Sequence, residues 1–112
     1  CPSGYRVPTI DQWKAVIANN NVERVGSWRS NANNYTTAIY LRNSSNIRTL
    51  MLPAAGYRGS TDGALYYRGF GGFYWSSSEA TSDASSLRFY SSSVNVYDIS
   101  RTSGLSVRCV AE

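Results

Sequence analysis

Histidine is absent from this chain of 112 residues, Lys14 is its only lysine, and it has two cysteines, three prolines and one methionine. Without histidine the commonest general base, nucleophile partner and zinc ligand are missing, and much of the catalytic repertoire goes with them. Two sulfurs alone lack the further ligands that a zinc site needs, so no metal is expected. No apolar run approaches the roughly 20 residues of a membrane-spanning helix. The chain is expected to be soluble, with no membrane insertion of its own and any export signal outside it.

What the chain does have is arginine, tyrosine and serine. The net charge of +4 comes almost entirely from arginines spread from Arg6 to Arg108. They are not gathered into a stripe, so a solvated surface accounts for them better than nucleic-acid binding. The length suits one domain, residues 1–112, with a single core. Cys1 and Cys109 lie near the two ends. In an exported protein such a pair suggests one bridge joining terminal strands, which would stabilise the fold by about 4–5 kcal/mol; the alternative is two unrelated buried thiols.

Turn chemistry in Pro2-Ser3-Gly4 precedes a short extended piece ending at Pro8. Thr9 is then placed to cap a helix, with Gln12 as its capping-box partner. Trp13, Val16 and Ile17 make one apolar stripe until Asn19-Asn20-Asn21 stops it. Val22, Val25 and Trp28 could line a second short helix. Asn34-Tyr35-Thr36 and Asn43-Ser44-Ser45 match a glycosylation acceptor pattern but read as ordinary surface. Arg48 to Ala55 has the apolar density of a buried strand ending at Pro53, and Gly56 to Gly72 reads as a long ordered loop.

Strands are expected at Phe73–Ser77, Ser86–Ser91 and Val94–Ile99, with Leu105–Val110 closing an antiparallel set, so the class is α+β. Within it Leu87, Phe89, Val94 and Val96 are assigned to an inner face. Ser86, Arg88, Tyr90, Asn95 and Tyr97 are assigned to an outer, functional one.

CPSGYRVPTIDQW at the start, LPAAGYR in the middle, GGFYWSSSE after it and GLSVRCV at the end together resemble the Fibrobacter succinogenes major paralogous domain, a branch of the C-type-lectin-like fold, from Cys1 to Val110. The resemblance implies a small twisted antiparallel sheet with one or two flanking helices and long ordered loops, paired terminal strands and a Cys1–Cys109 disulfide. It also implies a place outside the cell, on the surface of Bacteroidetes and related bacteria.

The chain is also similar to the variable proteins of diversity-generating retroelements, whose C-terminal part is rewritten at template adenines. Asparagine codons treated this way give products that include Asn, Ser, Thr, Ile, Asp, Tyr, Phe, Gly and Arg, but never Lys, Gln, Glu, Met or Trp. Tyr66, Tyr67, Phe70, Phe73, Ser82, Asp83, Arg88, Tyr90, Asn95, Tyr97, Asp98, Ile99, Ser100 and Thr102 fit that set. They are the candidate ligand-binding residues. The alternative is that they are plain loop and outer-strand residues, with some of the aromatics filling the core.

Tyrosine, serine, asparagine and arginine are a binder's residues. The expected function is therefore non-enzymatic recognition of a protein or glycan on another cell or surface, displayed on a bacterium or a phage particle. A fixed adhesin or a structural module of a surface lipoprotein or pilus is the alternative. The Glu-Pro-Asn and Trp-Asn-Asp patterns of calcium-dependent lectins are missing, so neither calcium nor another cofactor is expected. With both cysteines in one bridge, no activated nucleophile remains for the chemistry of the formylglycine-generating enzymes that share the fold.

Overall fold

Residues 1–112 are described by a computed structural model. Thr9 opens the one helix, α1 (Ile10–Ala18), through the expected capping box. The Gln12 amide donates to Thr9 Oγ1 at 3.2 Å, and Gln12 Oε1 accepts from the Thr9 amide at 2.9 Å. Asn19 and Asn20 close the helix, their side-chain amides donating to the carbonyls of Ala15 and Val16 at 2.8 Å each. These contacts satisfy carbonyls that the last turn leaves without partners. At nine residues, α1 is too short to cross a membrane, and no other helix is present.

The other regular elements are strands, arranged in four antiparallel sheets rather than the one small sheet anticipated. The terminal pair is β1 (Tyr5–Arg6) with β10 (Val110–Ala111), and Cys1 is bonded to Cys109 across a Cα separation of 5.7 Å. The closing strand is therefore only these last two residues. Ser106, within the segment expected to be strand, makes a single parallel bridge to Tyr74.

The second helix is replaced by β2 (Asn21–Val25), which pairs with β3 (Ala38–Arg42), and β3 with β4 (Arg48–Pro53). Register explains the correction. Val22 pairs with Leu41, which in turn pairs with Leu50, while Val25 pairs with Ala38, so the valines three apart point to opposite faces of a strand. β4 is also less buried than its apolar density suggested: Leu52 is enclosed, while Met51 lies on the open face. On that face Glu23 ties Arg42 and Arg48, and Arg48 stacks on Tyr40.

Asn34 is a structural bracket rather than free surface. Its Nδ2 donates to the carbonyls of Ser27 and Arg29 at 2.6 and 2.9 Å, and its Oδ1 accepts from the Thr36 amide.

The anticipated loop from Gly56 to Gly72 contains a hairpin of β5 (Tyr57–Arg58) and β6 (Leu65–Tyr66). Gly56 is required at its base. It has a φ of +71°, and a Cβ there would stand 2.1 Å from the Tyr66 carbonyl oxygen. The last sheet is β7 (Gly72–Ala80), β8 (Asp83–Phe89) and β9 (Val94–Ser100), in sequence order as expected.

The core lies between α1, β3–β4 and β7–β8. It contains Trp13, Ile39, Leu41, Leu52, Ala54, Tyr74, Leu87 and Phe89. The β7–β9 sheet therefore has a helix side, carrying Tyr74, Leu87 and Phe89, and an opposite side that meets the β5–β6 hairpin.

Candidate functional site

Side chains paired directly across an antiparallel ladder share a face. Phe73, Arg88 and Asn95 form one such row, and Trp75, Ser86 and Tyr97 the next. Both rows lie on the side away from α1. Onto this side the β5–β6 hairpin brings Tyr57 and Tyr66, the turn after it brings Tyr67 and Phe70, and the residue after β8 adds Tyr90.

The rings make one continuous surface. Tyr57 contacts Phe73 at a centroid distance of 4.8 Å and Tyr66 at 5.5 Å. Tyr67 and Tyr90 each reach Phe70 at 5.4 Å. At the other margin the Arg88 guanidinium sits 3.8 Å from the Tyr97 centroid and 5.3 Å from that of Tyr90.

Tyr66, Tyr67 and Tyr97 are between 38 % and 42 % exposed, so flat ring area faces solvent along this whole side. Tyr67 also has a φ of 62°, in the left-handed region that a bulky side chain ordinarily avoids. Holding it there costs on the order of 1–3 kcal/mol, which the contacts of its ring with Phe70, Phe73 and Tyr90 help to offset.

Beside the rings a cavity of about 370 Å³ is lined by Tyr57, Asp62, Tyr66, Tyr97, Ser100 and Ser103, among others. The Tyr66 hydroxyl donates to Asp62 Oδ2, and the Ala64 amide donates to Asp62 Oδ1 at 2.9 Å. The Tyr66 hydrogen bond, helped by that amide, holds the Asp62 carboxyl below the usual carboxylate range. The same bond pushes the Tyr66 phenol up. Burial pushes up Tyr57 and Tyr90, so all three phenols stay neutral donors well into alkali.

Of the fourteen candidate positions, Tyr66, Tyr67, Phe70, Arg88, Tyr90, Asn95, Tyr97 and Ile99 meet on this side, and Ser100 stands at the cavity rim. Phe73 does not present itself to a ligand: at 2 % exposure it is the floor on which Tyr57, Tyr67 and Tyr90 rest. Asp83 and Asp98 belong to the helix side, where Asp98 accepts from Ser85 Oγ at 2.9 Å, so Asp98 points away from its neighbour Tyr97. Ser82 and Thr102 occupy turns at one end of the sheet. Arg101 joins those turns by donating to the carbonyls of Asp83 and Thr81.

Two positions keep the face assigned to them but not the exposure expected of it. Ser86 is on the outer side but fully buried, donating to the Tyr97 carbonyl at 2.7 Å. Val96, beside Leu87 on the outermost strand, is 37 % exposed.

Tyr57 and Asp62 were missed. The signal for both was present in Thr61-Asp62-Gly63 between two tyrosine-bearing pieces, since Asp-Gly flanked by β-formers marks a hairpin.

The family model described as the Fibrobacter succinogenes major domain matches residues 1–111. No curated protein and no solved structure matches the chain.

Proposed function

The chain belongs to the Fibrobacter succinogenes major domain family, and from that premise we propose that it is a non-enzymatic ligand-binding domain of C-type-lectin-like type, presented outside the cell. The observation that carries this reading is the continuous aromatic side built by Tyr57, Tyr66, Tyr67, Phe70, Tyr90 and Tyr97. Exposed aromatic area of this extent is characteristic of recognition surfaces, because rings give large contact at low entropic cost. The Cys1–Cys109 bridge suits an oxidising, non-cytoplasmic setting.

The ligand is a protein or a glycan on another cell or surface. A binding screen of the domain against surface proteins and a glycan array tests this. Tyr67→Ala and Tyr97→Ala should each weaken capture at least tenfold, while Asp98→Asn, on the other side of the sheet, should leave it unchanged. Equal capture by all three variants would refute the reading.

Diversification by a retroelement is the finer proposal, supported by the residue types at the eleven of the fourteen positions that lie between Gly71 and Val110. It requires a reverse transcriptase gene nearby and a near-copy of the segment coding for residues 71–110 that differs at adenines. A fixed adhesin or structural module is the second reading. It is favoured by the burial of Phe73, where a change would disrupt the floor under the rings, and by the placement of Asp83 and Asp98 on the helix side, where changes would not alter the aromatic surface. A single invariant sequence across isolates would decide for it.

A further inference from the structure

Arg88 differs from the other arginines of the chain. Arg42 and Arg48 share Glu23, Arg24 donates to the Tyr90 carbonyl, and Arg6, Arg58, Arg68 and Arg101 donate to backbone carbonyls. Arg29 and Arg108 stand in water, where solvent satisfies them. Arg88 is half-buried and has no salt bridge, and its Nε is sealed from solvent without a hydrogen-bond partner. A partly dehydrated guanidinium left this way is costly unless something pairs with it.

Its two close neighbours are ring faces, those of Tyr97 and Tyr90. Contact with ring faces offers the guanidinium no hydrogen-bond acceptor, so its N–H donors stay unused. With Nε sealed, the Nη donors remain to meet a ligand, and their planar fork matches a carboxylate. Tyr97 also forms a wall of the cavity lined by Ser60, Thr61, Asp62 and Ser103. There, flat rings beside hydroxyls and a carboxylate that accepts hydrogen bonds suit a sugar ring with its own hydroxyls.

Resting on the ligand-binding reading above, we infer that the aromatic side takes an acidic glycan, its carboxylate on Arg88 and an adjoining sugar in the cavity across Tyr97. Uronic and sialic acids share this chemistry, and the test separates them.

Calorimetric titrations of the domain would use an oligogalacturonide, an alginate oligosaccharide and sialyllactose. They would be run beside the carboxyl-reduced oligogalacturonide, a sulfated neutral oligosaccharide and a glutamate-rich peptide. At least one of the three carboxylated sugars should bind, more weakly as salt is raised. If an oligogalacturonide is the one, its carboxyl-reduced form should bind at least tenfold more weakly. Arg88→Met should abolish that binding while the melting temperature stays the same or rises, because the replacement removes a buried unpaired donor. Arg88→Lys, which keeps the charge without the fork, should bind between the two.

The inference is overturned if none of the three sugars binds, if binding survives Arg88→Met or loss of the carboxylate, or if only the peptide or the sulfated sugar binds. Should a protein or neutral glycan bind through Tyr67 and Tyr97 with Arg88→Met harmless, this inference falls and the ligand-binding reading stands. Should neither tyrosine replacement affect any binding, the broader reading falls as well.

Discussion

The indole Nε1 of Trp13 donates to the carbonyl oxygen of Trp75 at 3.2 Å, joining the middle of α1 to the strand whose other side carries the aromatic surface. Ser78 Oγ, accepting from the Ile10 amide, and the Pro8 carbonyl, accepting from the Ser77 amide, continue the seam. Trp13→Phe removes the bond and leaves a void in the core, and should cost about 1–3 kcal/mol in denaturant unfolding. A loss below about 0.5 kcal/mol would mean the seam does not hold the helix in place.

The Cys1–Cys109 bridge spans 108 residues of sequence. Closing a loop of that size stabilises the fold by about 4–5 kcal/mol under the chain-entropy model. The double replacement Cys1→Ser, Cys109→Ser should therefore lower the melting temperature by on the order of 20 °C in a scanning calorimeter. A fall of only a few degrees would show that the paired terminal strands close the chain without the sulfurs.

Gly72 begins β7 over the ring of Phe89, and a Cβ at that position would stand 2.0 Å from the ring. Phe89 is fully enclosed and cannot swing aside. Gly72→Ala should destabilise by about 1–3 kcal/mol. It should also disturb the adjacent Phe73, visible as a change in near-ultraviolet circular dichroism.

Asp62 and Tyr66 give opposite pH signatures. The Asp62 carboxyl is held low by its hydrogen bonds, so the stability it adds is complete above the usual carboxylate range and is lost as the pH falls through its depressed folded value. The Tyr66 phenol is held high, so its share is complete below pH ~10 and is lost as the pH climbs through its raised folded value. Tyr66→Phe should return the Asp62 carboxyl towards its ordinary value in an NMR titration; an unmoved titration would place its control in the Ala64 amide alone.

Local signals in the sequence carried furthest where one segment decides its own shape. Thr9 and Gln12 announced the helix, the asparagine run announced its end, and the alternation after Gly71 announced three successive strands. Signals that depend on distant partners were not legible. Val22 and Val25 fit a helical stripe until Leu41 is known to pair with the first of them and Ala38 with the second.

The same limit applied to the site. Alternation along β8 and β9 divides the residues correctly between the two sides, but it does not tell which of them are enclosed. Val96 is beside Leu87 at the margin of the sheet, where its apolar character brings no burial, while Ser86 is enclosed because its hydroxyl has the Tyr97 carbonyl to bond. Arg88 and Tyr97 were placed correctly on a common outer side. Tyr57, contributed from a separate hairpin, could be joined to them only by the folded chain.

The paired ends and their sulfur bond also determine how the molecule bears a pull. Tension applied between its first and last residues travels through Cys1, the two sulfurs and Cys109, and bypasses nearly all of the chain between them. Only the short ladder of Tyr5 and Arg6 with Val110 and Ala111 is left to peel. A copy pulled by its two ends would keep its aromatic side undistorted up to forces that break covalent bonds, whereas under reducing conditions the same tug would unravel it.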